Sequence, residues 1–152
     1  MPAAEILNRP HERETVAKWL QLKKPLRKGN TRHVYIDIIK RGLETKSVNA
    51  FIEHSGLTKK QVSKFIHVSA RTLQRNDPTK RLDINSSERL LELARLYYMG
   101  IEVFENTTKF NQWLQRPNLA LGKKPPIELL DTSIGLYLVM DELIRIDYGV
   151  FS

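Results

Sequence analysis

The sequence predicts an all-α protein, and three observations support that fold class. Apolar side chains recur at three- and four-residue spacings, the period of an amphipathic helix, in most segments of the chain. The breaks between these segments are rich in the Ser, Thr, Asp, Gly and Pro residues that begin or end helices. Residues 57–76 also have the spacing of a helix-turn-helix. We therefore expect a helix-turn-helix domain followed by a small helical domain.

The stretch LTKKQVSKFIHVSARTLQRN predicts two short helices joined by a tight turn. Thr58 is expected to cap the first helix and Ser69 the second. A close helix crossing needs a small residue, a left-handed turn position and an apolar residue, and Ser63, His67 and Val68 fill these places. His adopts the left-handed conformation more often than most non-glycine residues. The apolar residues expected on the buried side of the two helices are Val62, Phe65, Ile66 and Leu73. A helical hairpin used only for packing is the alternative interpretation.

In a helix-turn-helix that binds DNA, the first residues of the second helix enter the major groove. Arg or Gln side chains there discriminate between bases, whereas Lys on a phosphate adds affinity with little sequence choice. One such helix reads few bases, so we expect a homodimer on inverted half-sites about 34 Å apart in operator DNA. The predicted base contacts are Ser69, Arg71, Thr72 and Gln74, with Arg75 on a base or phosphate, and the predicted backbone contacts are Lys59, Lys60 and Lys64.

Charge is distributed unevenly along the chain. Residues 1–86 carry 18 Lys and Arg against 8 Asp and Glu, a net +10, whereas residues 87–152 carry 7 against 9, a net −2. A basic half that contains the helix-turn-helix is typical of a chain that meets nucleic acid with one part and another partner with the rest.

Composition also bears on location. No Cys is present, which fits a reducing compartment and excludes disulfides and Cys-ligated zinc. The stretch MPAAEILNRPHER lacks the apolar core of a signal peptide. No apolar run approaches the ~18–20 residues needed to cross a bilayer. We therefore expect a cytoplasmic protein without membrane contact.

The first part of the chain predicts two helices separated by a basic loop. One helix is expected from Pro10, which suits a first helical turn, to a point before Pro25. Residues 23–32 carry five Lys or Arg and form either a solvated linker or an arm that contacts phosphate. The apolar stripe of residues 33–42 predicts a second helix that ends at a glycine. Residues 1–46 are the predicted N-terminal helical region, for which oligomerisation is a hypothesis.

The predicted domains after it are the helix-turn-helix domain, 47–86, and a small helical C-terminal domain that ends in a tail, 87–152. Further helices are predicted over residues 47–56, 87–104, 107–115 and 133–146. Their expected caps are Ser47, the Asn85, Ser86 and Ser87 cluster, and Asp131 or Thr132. Between the last two helices we expect an ordered loop whose leucines, Leu119 among them, contact a core. On the last helix, Asp141 is placed to pair with Arg145.

No catalytic site, metal site or cofactor is predicted. The four His share no metal-binding spacing, and no Cys is present to complete a zinc set. The pairs Glu88 with Glu92 and Glu102 with Glu105 are interpreted as surface carboxylates, because no apolar pocket or nearby titratable partner is indicated that would separate the pKa of a general acid from that of a base. No glycine-rich phosphate loop or nucleophile elbow occurs. We therefore expect a protein that acts by binding.

Several phrases carry a specific resemblance to a known family. HVSARTLQR and SSERLLELARLY are followed by VFENTTKFNQWLQRPNLALGKKPPIELLDTSIG and then by LIRIDYGVFS. The patterns W-L-x-x-P-N-x-A-L-G, P-x-x-L-L-D-T and Y-G-V within them are the most specific. Over roughly residues 40–152 the chain resembles the antitoxins of the Xre/MbcA/ParS family. The partner of that family is a toxin of the RES-domain class.

The resemblance implies an antitoxin that neutralises its toxin and represses its own operon. Toxins of that class consume NAD, so the antitoxin would act by covering their active site. Two residues depart from the family pattern: Asn76 stands where a second Arg commonly follows Arg75, and Asp77 comes next. Carried over by position, the toxin-facing candidates are Arg116, Pro117, Asn118, Leu121, Gly122, Pro125, Tyr148, Gly149, Val150, Phe151 and Ser152.

The apolar, aromatic ending DYGVFS is unusual for a solvated tail. Tyr148 and Phe151 would stabilise a complex by entering a concave pocket, with Gly149 allowing close backbone approach. Alternatively, Phe151 covers the core of its own domain. An alternative function is that of a stand-alone helix-turn-helix transcription regulator whose C-terminal domain dimerises or binds an effector.

Overall fold

The computed structural model describes residues 9, 11–22, 31–74 and 77–149. These residues form α-helices and two short 3-10 turns, which confirms the predicted all-α class. The helices are α1 (Glu12–Trp19), α2 (Thr31–Arg41), α3 (Thr45–Ser55), α4 (Lys59–Ile66), α5 (Ala70–Gln74), α6 (Ile84–Phe104), α7 (Thr107–Leu114) and α8 (Ser133–Asp147). The 3-10 turns are Leu119–Leu121 and Pro126–Leu129.

The chain divides into two compact units, Met1–Arg95 and Leu96–Ser152, and the division falls inside α6. The N-terminal unit contains α1 to α5 and the first half of α6, and the C-terminal unit contains the remaining elements. In the part of the chain that the structure describes, no helix is both long and apolar enough to span a membrane. The same residues contain no group of three His, Asp or Glu arranged to hold a metal ion.

A buried ion pair joins α1 to α6 within the N-terminal unit. Glu12, in the first turn of α1, is 2% exposed, and its Oε1 accepts a hydrogen bond from Nε of Arg95. The Tyr35 hydroxyl of α2 donates to the same oxygen over 3.0 Å, and the Arg95 guanidinium lies 5.2 Å from the centre of the Tyr35 ring. Burial raises the pKa of Tyr35, and the Glu12 carboxylate raises it further, so the hydroxyl remains a donor.

The helix that supports the helix-turn-helix begins earlier than predicted. Its N-cap residue is Glu44 and its first residue is Thr45. The predicted cap, Ser47, is buried, and its hydroxyl donates to the carbonyl oxygen of Leu20 beyond the end of α1. The prediction was wrong because this hydroxyl makes a tertiary contact instead of a local one. The helix ends as predicted at Gly56, which has φ 71°.

Backbone hydrogen bonds tie the segment after α5 to the turn between α2 and α3. The N–H of Leu82 donates to the carbonyl of Leu43 over 2.8 Å, and the N–H of Thr45 donates to the carbonyl of Lys80 over 2.9 Å. Gly42 makes this approach feasible, because a Cβ there would lie 2.6 Å from the Leu82 carbonyl oxygen. Its φ of +87° also favours glycine. The predicted helix end at this glycine is confirmed, and the glycine has a packing role as well.

The long helix α6 begins at Ile84, one turn before the predicted start. Asp83 caps it, since its Oδ1 accepts a hydrogen bond from the N–H of Ser86 over 2.7 Å. Ser87, a predicted cap residue, is fully buried, and its Oγ accepts from the N–H of Leu43 over 2.9 Å. The predicted cap cluster therefore lies inside the first turn of the helix.

Aromatic rings form the core of the C-terminal unit around Phe110, which is fully buried. The ring of Tyr97 meets it edge-on at a centroid distance of 5.0 Å, and the rings of Phe104 and Trp113 lie at 6.1 Å and 6.0 Å. Gly100 of α6 makes room for the Phe110 ring, because a Cβ there would lie 2.3 Å from one of its carbons. Helix α7 is thereby packed directly on the second half of α6.

Helix α8 begins after Thr132, one of the two predicted caps. The Oγ1 of Thr132 accepts a hydrogen bond from the N–H of Gly135 over 3.0 Å. A Cβ at Gly135 would lie 2.0 Å from the carbonyl oxygen of Leu129. The start of α8 is therefore packed against the 3-10 turn Pro126–Leu129, and glycine is required for that contact.

Two predicted contacts of the C-terminal unit were wrong. Nη1 of Arg145 lies 3.4 Å from Oε2 of Glu142, one turn before it, and the described contacts of Arg145 do not include the predicted partner Asp141. Leu119, predicted to contact a core, is 79% exposed. Leu130, which directly follows the second 3-10 turn, is fully buried instead.

Candidate functional site

The helix-turn-helix has its turn at the predicted residue. At the start of α4, Thr58 and Gln61 form a capping box, with the N–H of Gln61 donating to Thr58 Oγ1 over 3.1 Å and the Thr58 N–H donating to Gln61 Oε1 over 2.9 Å. His67 ends α4 in the left-handed conformation, with φ 58° and ψ 41°. The N–H of Val68 then donates to the carbonyl of the buried Ser63 over 3.0 Å, which closes the turn.

The second helix of the motif presents polar side chains. Ser69 caps α5 as predicted, since its Oγ accepts a hydrogen bond from the N–H of Thr72 over 3.1 Å and lies 2.8 Å from Thr72 Oγ1. Leu73 is buried on the inner side. Arg71 and Gln74 are exposed, and their side chains have no hydrogen-bond partner among the described residues. Because the hydroxyls of Ser69 and Thr72 already serve the cap, Arg71 and Gln74 are the side chains best placed to bond a base edge.

The lysines predicted to contact the DNA backbone are exposed on α4. Lys59 and Lys60 stand in its first turn and Lys64 in its last. Among the described residues none of the three makes an ion pair, so their ammonium groups remain available to phosphate. Arg75, the remaining predicted contact, lies outside the described residues.

An acidic residue follows the basic ones. The Oδ1 of Asp77 accepts hydrogen bonds from the N–H of Thr79 over 3.0 Å and from its hydroxyl over 2.7 Å. These bonds, chiefly the one from the hydroxyl, lower the pKa of Asp77. The carboxylate therefore stays ionised and places a negative charge shortly after the recognition helix.

A buried arginine of α6 bonds to the helix-turn-helix, and the sequence analysis did not predict it. Arg89 of α6 is 4% exposed, and its Nε donates to the carbonyl of Phe65 over 2.9 Å. That carbonyl belongs to the last turn of α4, where helix carbonyls lack intrahelical partners. Glu92 lies 3.3 Å from Nη1 of Arg89 and balances its charge. The only signal in the sequence is a charged residue beside the leucines of the long helix.

The predicted toxin-facing loop is closed by a single asparagine. The Oδ1 of Asn118 accepts a hydrogen bond from the N–H of Ala120 over 2.9 Å. Its carbonyl accepts from the N–H of Lys123 over 2.9 Å, and its own N–H donates to the carbonyl of Lys124 over 3.1 Å. Gly122 has φ +72° and open space around it. The backbone at this tip is therefore ordered and accessible.

The other loop candidates differ in exposure. Arg116 and Pro117 are exposed, whereas Leu121 and Pro125 are half-buried. The 3-10 turn Leu119–Leu121 packs against α8, so the loop is attached to the last helix.

Only part of the predicted tail is described. Tyr148 is 64% exposed, and the N–H of Gly149 donates to the carbonyl of Ile146 over 2.9 Å. Gly149 has φ +70°, and a Cβ placed on it would meet no described residue within 4 Å, which leaves room for close approach by another chain. Val150, Phe151 and Ser152 lie outside the described residues, and their predicted role stays a prediction.

Comparison with known families gives two matches that together span most of the chain. Residues 35–95 match the antitoxin Xre-like helix-turn-helix domain. Residues 99–149 match the antitoxin Xre/MbcA/ParS C-terminal toxin-binding domain. The chain belongs to the Xre/MbcA/ParS family of antitoxins. The resemblance drawn from the sequence is therefore confirmed.

Relatives of this Xre-family chain are similar over most of their length. Antitoxin Xre of Yersinia enterocolitica serotype O:8 / biotype 1B is 26% identical over 141 residues, which cover 91% of this chain and 93% of the relative. The Prs ADP-ribosylating antitoxin of Sphingobium sp. (strain YBL2) is 28% identical over 127 residues, covering 77% and 80%. Antitoxin Xre of Photorhabdus laumondii subsp. laumondii is 26% identical over 117 residues, covering 76% and 79%.

The toxin-binding domain of this Xre-family antitoxin has an exposed apolar surface that sequence reasoning missed. Ile134 is 77% exposed, and Tyr137 and Leu138 are each 48% exposed. All three lie on α8, between the predicted loop and the predicted tail in the chain. The sequence does contain a signal, because SIGLYLVMDELIRI has apolar residues on every side of the helix, a pattern that requires burial on all sides.

Proposed function

We propose that this chain neutralises a RES-domain, NAD-consuming toxin by covering its active site and represses its own operon by binding operator DNA. It acts in the cytoplasm as a homodimer and by binding rather than by catalysis. The observation that carries the proposal is the presence in one chain of both matched domains, a helix-turn-helix at 35–95 and a toxin-binding domain at 99–149.

The N-terminal unit supports the DNA-binding part of the proposal. Arg71 and Gln74 extend from the recognition helix, and three unpaired lysines stand on α4, within the described residues. A guanidinium or amide group can form two hydrogen bonds with the edge of one base, whereas an ammonium group binds phosphate. Repression follows if the bound site overlaps the promoter of the antitoxin's own operon.

The C-terminal unit supports the toxin-binding part. The ordered loop around Asn118 and the exposed Tyr148 with Gly149 give one polar and one aromatic contact region. A relative carries ADP-ribosylation in its name, and ADP-ribose is ordinarily transferred from NAD, which supports an NAD-consuming partner. Aromatic anchors at the centre of an interface usually dominate its energy. Removal of residues 148–152 should therefore cost more affinity than Arg116→Ala.

The test is intracellular NAD and growth when the neighbouring reading frame is induced. It is induced alone, with the full chain, with the chain truncated after Asp147, and with the Arg71→Ala variant as a control that alters only the DNA-binding unit. We expect NAD to collapse with the neighbour alone, to be preserved by the full chain and by Arg71→Ala, and to fall again with the truncation.

Two results would contradict the proposal. If induction of the neighbouring reading frame leaves NAD and growth unchanged, its product is not an NAD-consuming toxin. The chain would then be interpreted as a stand-alone transcription regulator. If the truncated chain preserves NAD as well as the full chain does, the tail is not needed for neutralisation, and the loop remains the candidate contact. A reporter fused to the promoter of the operon tests repression separately, with Arg71→Ala expected to release it.

A further inference from the structure

The N-terminal unit contains a cavity that is separate from the predicted DNA and toxin contacts. It lies between α2 and the start of α3, and we call it the α2–α3 cavity. Its volume is about 490 Å³, within the range of about 300–1,000 Å³ that is usual for small-molecule sites. Every residue that lines it belongs to the unit Met1–Arg95. None of the residues predicted to bind DNA or toxin is among them.

The lining of the α2–α3 cavity is positively charged. It includes Arg41 at the end of α2, Lys46 in the first turn of α3, and Arg81 in the segment after α5. The carboxylate of Glu44 opposes these three cations, which leaves a net charge of +2. A cavity of this charge favours an anionic ligand over a neutral or cationic one.

Two of the three cations are already engaged inside the cavity. Nζ of Lys46 lies 3.4 Å from Oε2 of Glu44, and Nη2 of Arg81 lies 3.6 Å from Oε1 of the same carboxylate. Nη1 of Arg81 also donates to the carbonyl of Gly42 over 2.8 Å. These contacts fix the carboxylate and the Arg81 guanidinium in the wall of the cavity before any ligand enters.

The third cation, Arg41, is available to a ligand. Its side chain is exposed and makes no ion pair or hydrogen bond within the part of the chain that the structure describes. A guanidinium holds a phosphate or carboxylate group through two parallel hydrogen bonds. The end of α2 therefore offers the point at which an anionic group would be held.

Glu44 indicates what else the ligand carries. A carboxylate is an acceptor with room for about four hydrogen bonds, so it accepts from a ligand in addition to its two ion pairs. Neighbouring hydroxyls of a ribose are donors of the kind that an acidic side chain binds in nucleotide sites. The half-buried side chains of Leu22 and Ile38 give the same cavity an apolar wall, against which a planar base would pack.

We propose that the α2–α3 cavity binds a nucleoside monophosphate. Arg41 holds the phosphate, Glu44 accepts hydrogen bonds from the ribose, and the apolar wall contacts the base. A simple anion would use Arg41 alone and would be repelled by Glu44, so the pair of side chains selects a ligand that has both a phosphate and hydroxyl donors. The inference goes beyond the proposed function, because it requires neither a toxin nor an operator.

The test measures binding of adenosine 5′-monophosphate, inorganic phosphate and adenosine to the full chain by calorimetry. We expect the nucleotide to bind at least about 10-fold more tightly than either of its parts. Arg41→Gln should weaken nucleotide binding at least about 10-fold, because a charged hydrogen bond is lost. Lys40→Gln is the matched control, since it removes the same charge from the neighbouring exposed residue of α2, which does not line the cavity. It should bind the nucleotide like the parent chain.

Glu44→Gln distinguishes a nucleotide site from a simple anion site. It should weaken binding of adenosine 5′-monophosphate, because the ribose loses a charged acceptor, and strengthen binding of inorganic phosphate, because a negative charge is removed from the cavity. If it strengthens binding of both ligands, only the anion is recognised and the proposal is overturned.

Two other results would also overturn the proposal. One is a parent chain that does not bind the nucleotide. The other is an Arg71→Ala variant that loses as much nucleotide affinity as Arg41→Gln does, since the nucleotide would then bind on the DNA-binding surface. Both results are obtained without the neighbouring gene product, so they are independent of whether the chain neutralises a toxin.

Nuclear magnetic resonance of the parent chain keeps the proposal testable if a variant does not fold. The backbone amide signals of Gly42 and Ser47, which line the cavity, should shift when adenosine 5′-monophosphate is added. The signal of Gly56, at the far end of α3, should not move. Unchanged signals of Gly42 and Ser47 at a nucleotide concentration that saturates the calorimetric binding would place the ligand elsewhere and overturn the proposal.

Discussion

Arg95 makes the burial of Glu12 tolerable at the level of single residues. A carboxylate that is 2% exposed has lost its hydration, and its Oε1 recovers one charged and one neutral hydrogen bond from Arg95 and Tyr35. Its Oε2 has no hydrogen-bond partner among the described residues, so the compensation is incomplete. Removing one partner of such a pair lowers the free energy of unfolding much more than replacing both partners with apolar groups does.

We predict that Arg95→Met destabilises the chain by about 3–5 kcal/mol, because it leaves a buried carboxylate uncompensated. The double variant Glu12→Leu/Arg95→Met should recover most of that loss. Glu14→Leu, an exposed change on the same helix, is the control and should shift the free energy of unfolding by less than about 0.5 kcal/mol. The free energy of unfolding of the parent chain and the three variants is measured by urea titration. A single variant as stable as the double variant would mean that the pair is not energetically coupled.

At the level of the helix, the caps show what local sequence can predict. Thr58, Ser69 and Thr132 cap their helices as predicted, because each accepts a hydrogen bond from the N–H three residues ahead and needs no distant partner. Ser47 and Ser87 have the same chemistry but bond to Leu20 and Leu43 from other parts of the chain. The sequence shows that a hydroxyl is available, and tertiary packing decides which group it bonds.

The two helices of the helix-turn-helix are expected to contact different parts of DNA, with α5 on the bases and α4 on the phosphates. Arg71→Ala should reduce the preference for operator over unrelated DNA by about 1–3 kcal/mol, because a base contact is lost. Lys60→Ala should weaken binding to both DNAs alike and lower the salt slope by about 1, because a phosphate contact is lost. Fluorescence anisotropy at several salt concentrations measures both effects.

The control for these variants is Lys109→Ala, a lysine of α7 that pairs with Glu105 in the C-terminal unit. It should change neither the affinity nor the salt slope. If Arg71→Ala instead weakens both DNAs equally, Arg71 contacts the backbone, and Gln74 becomes the candidate for base recognition.

At the level of the whole molecule, a single recognition helix contacts too few base pairs to specify an operator alone. We predict that two copies bind an inverted repeat with half-sites about 34 Å apart. Two linked contacts should raise affinity on the order of 100-fold over a single half-site. A repeat with about five extra base pairs between the half-sites is the control, since half a helical turn places the second site on the wrong face of the duplex. Equal affinity for one half-site and the repeat would contradict the dimer.

The sequence by itself determined the helical class, the turn of the helix-turn-helix and the family. These features depend on spacing and on local hydrogen bonds, and so the left-handed turn at His67 and the cap at Thr132 are visible in the chain. Only the tertiary structure decided which side chains are covered. Glu12 and Arg89 are buried by partners far away in sequence, and Ile134 stays exposed on a helix whose composition suggests full burial. Burial depends on elements brought together from distant parts of the chain, and no local pattern records which of them will meet.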